Sequence, residues 1–152
     1  MPPSRGKAIK ANLLARCQAL FPDAAVHYGL PPTDQANDIV CIGEAGTADG
    51  LRADQETATL GTNRSRNETV FVSVLISSWR GTTSQQLVTE LVFDAMALLE
   101  NDLRTDPTIA GAIPNGPGAT VVGWQLTETE WEALPKGRYA ELDVTIRCRS
   151  RI

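Results

Sequence analysis

The chain has few aromatic residues, 5% of its 152 positions, so its core must be mostly aliphatic. It has one histidine, His27, in the apolar run AAVHYGL. With no second histidine, a His-based metal cluster is unavailable, and a Ser or Cys triad would have to take His27 or a lysine as its base. Lys7, Lys10 and Lys136 lie in contexts that do not suit that role. Cys17, Cys41 and Cys148 are odd in number and no two have CxxC spacing. That pattern suggests neither a disulfide framework nor a zinc knuckle, and reduced, buried thiols are expected. No stretch approaches the ~20 apolar residues of a membrane span. The N-terminal MPPSRGKAIKANLLARCQALF is broken by Lys10, Asn12, Arg16 and Gln18, so it holds no signal-peptide core. The expectation is a chain that stays in a cytoplasm or leaves it without secretion, with no membrane partner.

Phosphate-binding loops are missing as well. NGPGATVVG contains glycines but neither GxxxxGK nor GxGxxG, and its prolines suit a tight loop. Glu128, Glu130 and Glu132 alternate near a turn, the pattern of solvated charges rather than of a cation site. Asn63-Arg-Ser and Asn67-Glu-Thr match glycosylation sequons, which carry no meaning in a chain that is not secreted. No enzyme is expected. No catalytic, cofactor-binding or metal-binding residue can be assigned.

What is present is the composition of a globular protein. Hydrophobic residues make up 42% of the chain, too many for disorder. One domain over 1–152 is expected, large enough to bury roughly two thirds of its unfolded surface. The net charge of −4 argues against general affinity for nucleic acid.

The periodicities give an order of elements. Ile9, Leu13, Cys17 and Leu20 recur at helical spacing, predicting a helix over Lys7 to Phe21, stopped by Pro22 and Asp23. AAVHYGL and DIVCIGEA read as short strands. From about 43 to 67 the sequence turns to Gly, Thr, Asp and Asn without strong periodicity: a long loop or arm, with QETATLG as a candidate short strand. ETVFVSVLISSWRG is partly apolar on both faces, as in a strand inside a sheet. Thr83 with Gln86 fits a capping box before a helix of roughly 20 residues. That helix carries Val88, Leu91, Val92, Ala95, Leu99 and Leu103 on one side and Glu90, Asp94 and Asn101 on the other. After a Pro/Gly connector, ATVVGWQLTETEW reads as a strand with Val121, Gly123, Gln125 and Thr127 on one face. The last strand, GRYAELDVTIRCRSRI, returns antiparallel to it. Leu142, Val144, Ile146, Cys148 and Ile152, with Ser150 among them, alternate against Asp143, Thr145, Arg147, Arg149 and Arg151. The fold class is α+β: a mostly antiparallel sheet with helices on one face.

Arginines cluster twice: Arg52, Arg64 and Arg66 in the loop, and Arg147, Arg149 and Arg151 on the last strand. Two explanations fit the strand cluster. One is edge protection, in which charge deters edge-to-edge pairing. The other is a charge-complementary interface with an acidic surface such as Glu90 and Asp94 of a second copy.

Four pieces taken in series resemble the tail terminator proteins of long-tailed, lambda-type bacteriophages. They are ALFPDAAVHYG, LGTNRSRNE running into TVFVSVLISSWRG, LLENDLRTDPTIAGAI, and GRYAELDVTIRCRSRI. The resemblance implies a small α+β subunit of a homo-oligomeric, six-fold ring. The ring would cap the head-proximal end of the tail tube, stop its polymerisation and offer a docking surface to the neck or head-completion protein. DNA would pass through it without specific binding, and assembly would take place in the host cytoplasm. The family has no catalytic residues or cofactors to carry over. A head–tail connector role, a small nucleic-acid- or ligand-binding regulator, and an enzyme with a site shared between chains remain as alternatives.

Overall fold

The computed structural model describes residues 4–29, 37–43, 51–57, 66–131 and 137–151. The elements in chain order are α1 (Gly6–Leu20), β1 (Ala25–Tyr28), β2 (Asp38–Ile42), β3 (Leu51–Thr57), β4 (Arg66–Arg80), α2 (Gln85–Thr105), β5 (Gly118–Trp131) and β6 (Gly137–Arg151). The class is α+β, as the sequence implies. Five strands lie in the order β1-β2-β4-β6-β5, and β3 also pairs with β4. The β1–β2 pair is parallel and every other pair is antiparallel.

One face of the sheet carries the helices. Leu142, Val144, Ile146 and Cys148 of β6 and Val70, Val72 and Val74 of β4 are fully buried there. Ile9, Leu13 and Cys17 of α1 and Val88, Val92, Leu99 and Leu103 of α2 complete the core. Each large aliphatic side chain buried this way stabilises the fold by about 1.5–3 kcal/mol. Polar contacts orient the helices. Arg16 of α1 grips Asp102 of α2 with two guanidinium nitrogens. Glu68 of β4, fully buried, accepts a hydrogen bond from the Arg5 backbone N–H at 2.7 Å. Its carboxylate thereby sits at the start of α1, the positive end of the helix dipole.

The connector after α2 adopts an uncommon conformation. Ile109, Ala110 and Gly111 take φ of 50°, 52° and 83° in succession. Left-handed backbone costs a non-glycine residue roughly 1–2 kcal/mol. The Asp106 carboxylate offsets this by accepting from the Thr108 N–H and hydroxyl and from the Ala110 N–H. Asn12 of α1 donates to the Ile109 carbonyl at 3.0 Å, and the Ile109 side chain is buried. Gly118, at φ +87°, then turns the chain into β5 where a Cβ would lie 2.6 Å from the Pro107 carbonyl oxygen.

The structure corrects several expectations. Helix α2 is capped by Ser84, whose hydroxyl accepts from the Leu87 N–H at 3.3 Å. The proposed Thr83–Gln86 box is absent, because Gln86 bonds Glu90 instead. Within the segment read as a loop, Leu51–Thr57 is a strand, one that only partly overlaps the candidate QETATLG. Its pairing partner, β4, supplies the order that its own weak pattern does not announce. Residues 44–50 and 58–65 lie outside the described residues. In β5 the register slips between Val121 and Gly123. Val122 is therefore bulged out, and Val121 shares a face with Trp124 and Leu126 rather than with Gly123.

Replacing Glu68 with alanine should destabilise the protein by roughly 1–3 kcal/mol, because the Arg5 N–H loses its acceptor. Urea denaturation measures this, and a loss under about 0.5 kcal/mol would show that the carboxylate does not anchor α1.

Candidate assembly interface

Alternation along β6 sends every second side chain to the face that carries no helix. Glu141, Asp143, Thr145 and Arg147 are half-buried there, and Arg149 and Arg151 are exposed. The strand lies between β4 and β5. Edge protection is thus the wrong explanation for its arginines, because the sheet's edges belong to other strands. Arg147 stands across from Phe71 of β4 and Thr120 of β5, Arg149 across from Thr69 and Gly118, and Arg151 across from Asn67. The Arg147 Nε is covered, with no hydrogen-bond partner among the described residues.

The other end of this face is acidic. Ser73 donates its hydroxyl proton to the Asp143 carboxylate. Burial, and then the charge of Asp143, push the Glu141 pKa above the ordinary glutamate value. One strand face therefore runs from negative to positive over about 27 Å between positions 141 and 149 at the usual strand rise.

The loop arginines divide. Arg52 belongs to β3 and pairs with Phe71, so its position falls in the same cross-strand row as Arg147. Arg66 is the first residue of β4, opposite Thr57, and Arg64 lies outside the described residues. Glu90 and Asp94 are exposed on the outer side of α2, beyond the opposite face of the sheet. Glu90 accepts from Gln86 at 2.7 Å. The fold thus does not bring the acids and the arginines together within one chain.

The sequence reading missed two exposed leucines beside those acids. Leu87 is 44% and Leu98 51% exposed. Their signal was available, because both lie off the stripe through Val88, Val92 and Leu99. Trp124 of β5 is 52% exposed and packs edge-on against Phe93 of α2, with ring centroids 5.1 Å apart.

Elsewhere the polar groups serve the fold. A cleft of about 210 Å³ lies among Leu20, Phe21, Ile39, Ile76, Leu91 and Ala95, with Asp38 at its lining. Asp38 accepts two hydrogen bonds from Arg80, both 2.9 Å, and one from Ser78 at 2.7 Å. Burial opposes its ionisation. The bonds from Arg80 and Ser78, with the Arg80 charge, outweigh that and hold its pKa below the usual range. The thiols of Cys17 and Cys148 are pushed up to about 12 by burial, Cys17 with a further contribution from Asp102. All three cysteines are free and buried. Half-buried His27 stands opposite Cys41 in the β1–β2 pair. Among the described residues, no three or more His, Cys, Asp or Glu side chains are grouped to hold a metal ion.

No family model and no curated protein matches the chain. Among solved structures it is similar to a chain from the virion of a native gene transfer agent particle. The match covers 93% of this chain and 92% of that one, with 16% identity and a TM-score of 0.36. A likeness at that level says nothing of what this chain does.

Two carboxylates should respond to pH with opposite sign. The folded state holds the Glu141 proton more tightly than the unfolded state does. Stability is therefore lost as pH rises through the unfolded and then the folded pKa. Glu141→Gln should raise Tm at pH 7, and the gain should shrink toward about pH 4, near the ordinary carboxylate pKa. Asp38 stabilises above its unfolded pKa, and that contribution is lost as pH falls through its lower folded value. Asp38→Asn should lower Tm at pH 7, with a loss that vanishes in stronger acid. Calorimetry across pH checks both, and a pH-independent difference in either variant would contradict the assignment.

Proposed function

We propose that the chain is a structural protein of a phage-type virion. In this proposal it forms a homo-oligomeric ring of six subunits on the head-proximal end of a tail tube, ends tube polymerisation and gives the neck or head-completion protein its docking surface. The partners are other copies of the chain, the tube protein and the neck protein. DNA passes through the ring without specific binding, and the ring forms in the host cytoplasm. The sequence series resembling tail terminators supports this reading. One structural observation carries it: the arginine row lies on an internal strand and points away from the helices. Charges in that place protect no edge, and they suit a surface that meets a partner. A head–tail connector would use the same surfaces but would not bind tube ends.

Native mass spectrometry across protein concentration, with and without purified tail tubes, tests the proposal. A closed ring, either preformed or assembled on tube ends, is expected. A chain that stays monomeric or dimeric and ignores tubes would overturn it. Arg147→Glu with Arg149→Glu should abolish ring or tube attachment while leaving the circular dichroism spectrum unchanged, and undiminished assembly of that variant would remove the row from the interface.

A further inference from the structure

We infer that neighbouring copies meet front to back: the arginine end of the helix-free sheet face of one copy seats on the outer side of α2 of the next. The inference rests on the ring reading only in taking this contact to close on itself.

Three observations converge on it. The charges are complementary, with Arg147 and Arg149 on one surface and Glu90 and Asp94 on the other. The spacings also match. Glu90 and Asp94 are about 6 Å apart along a helix, and Arg147 and Arg149 are about 6.8 Å apart along a strand. Two carboxylates can thus face two guanidiniums at once. Finally, each surface has apolar area to cover. Leu87 and Leu98 bracket the acids, and half-buried Phe71 lies beside Arg147 in the same cross-strand row. Arginine stems cover such leucines while their heads stay with the carboxylates.

The two surfaces lie on opposite faces of one subunit. A two-fold axis pairs a face with the same face of the partner, so it cannot seat the helix-free face on the outer side of α2. Only a heterologous contact joins two different faces, and such contacts generate rings or filaments. The chain's own net charge of −4 favours a second copy over nucleic acid as the occupant.

Two variants test the contact by native mass spectrometry. One carries Arg147→Glu and Arg149→Glu, and the other Glu90→Lys and Asp94→Lys. Alone, each sets like charges together at every junction, and its apparent Kd for assembly should rise roughly 100-fold or more. Mixed in equal amounts they should assemble again, because alternating subunits restore opposite charge at every junction and a ring of six permits alternation. Leu98→Asp, which leaves the four charged positions intact, should weaken assembly on its own. Melting curves confirm that each variant is folded. If neither charge variant disturbs a ring that the wild type forms, or if the mixture fails to assemble, the contact is overturned and the ring reading stands. If the arginine variant loses salt-dependent DNA binding but assembles normally, the row is a phosphate-binding surface and the contact is overturned. A wild type that stays monomeric at every concentration, with tail tubes as well as without them, overturns both.

Discussion

The pairing of β4 with β6 is the constraint on which the rest of the molecule depends. It runs without a break from Asn67↔Arg151 to Arg80↔Arg138. Because strand side chains alternate, this register decides at once which residues meet the helices and which meet the outside. A slip of one residue would carry Arg147 and Arg149 into the core and expel Val144 and Ile146. Charge burial on that scale is prohibitive, so the arginines fix the register as firmly as the aliphatic residues do. The remaining strands attach to this pair. β2 takes one half of β4's outer side and β3 the other, while β5 takes the outer side of β6.

Much of this was legible in the sequence. The period-two pattern of β6 and the apolar stripe of α2 are local, and both appear where the sequence places them. So is the partly apolar character of both faces of β4, which marked it as internal. The failures have a common cause: alternation reports which face a side chain takes but not which strand lies beside it. Edge protection was a reasonable explanation for Arg147, Arg149 and Arg151 until β6 was found between two long partners. Strand β3 is held by a partner rather than by its own pattern, so LRADQET passed for loop. The Val122 bulge inverts part of a strand without any composition that announces it. The cap at Ser84 rather than Thr83 is a shift of one residue between two hydroxyls, either of which could serve.

A surface reading follows from the topology. The helix-free face is charged at both ends, and the outer side of α2 mixes acids with exposed leucines. Much of the monomer's internal polar bonding lies elsewhere, at Asp38, Asp102, Asp106 and Glu68. The buried thiols and the cleft at Asp38 belong to that internal scaffold. What is left over is two unlike surfaces, one on the helix-free face of the sheet and one on the outer side of α2, as head-to-tail assembly requires.

The most direct test places one new thiol on each surface, Arg149→Cys and Asp94→Cys in the same chain, and treats the assembled protein with a short thiol–thiol crosslinker. The native cysteines are buried and should not compete. Front-to-back contact predicts a covalent ladder that ends at the closed ring, with peptides bearing positions 94 and 149 joined between subunits. An assembled protein that yields no such link, or only 149 to 149, would contradict the account.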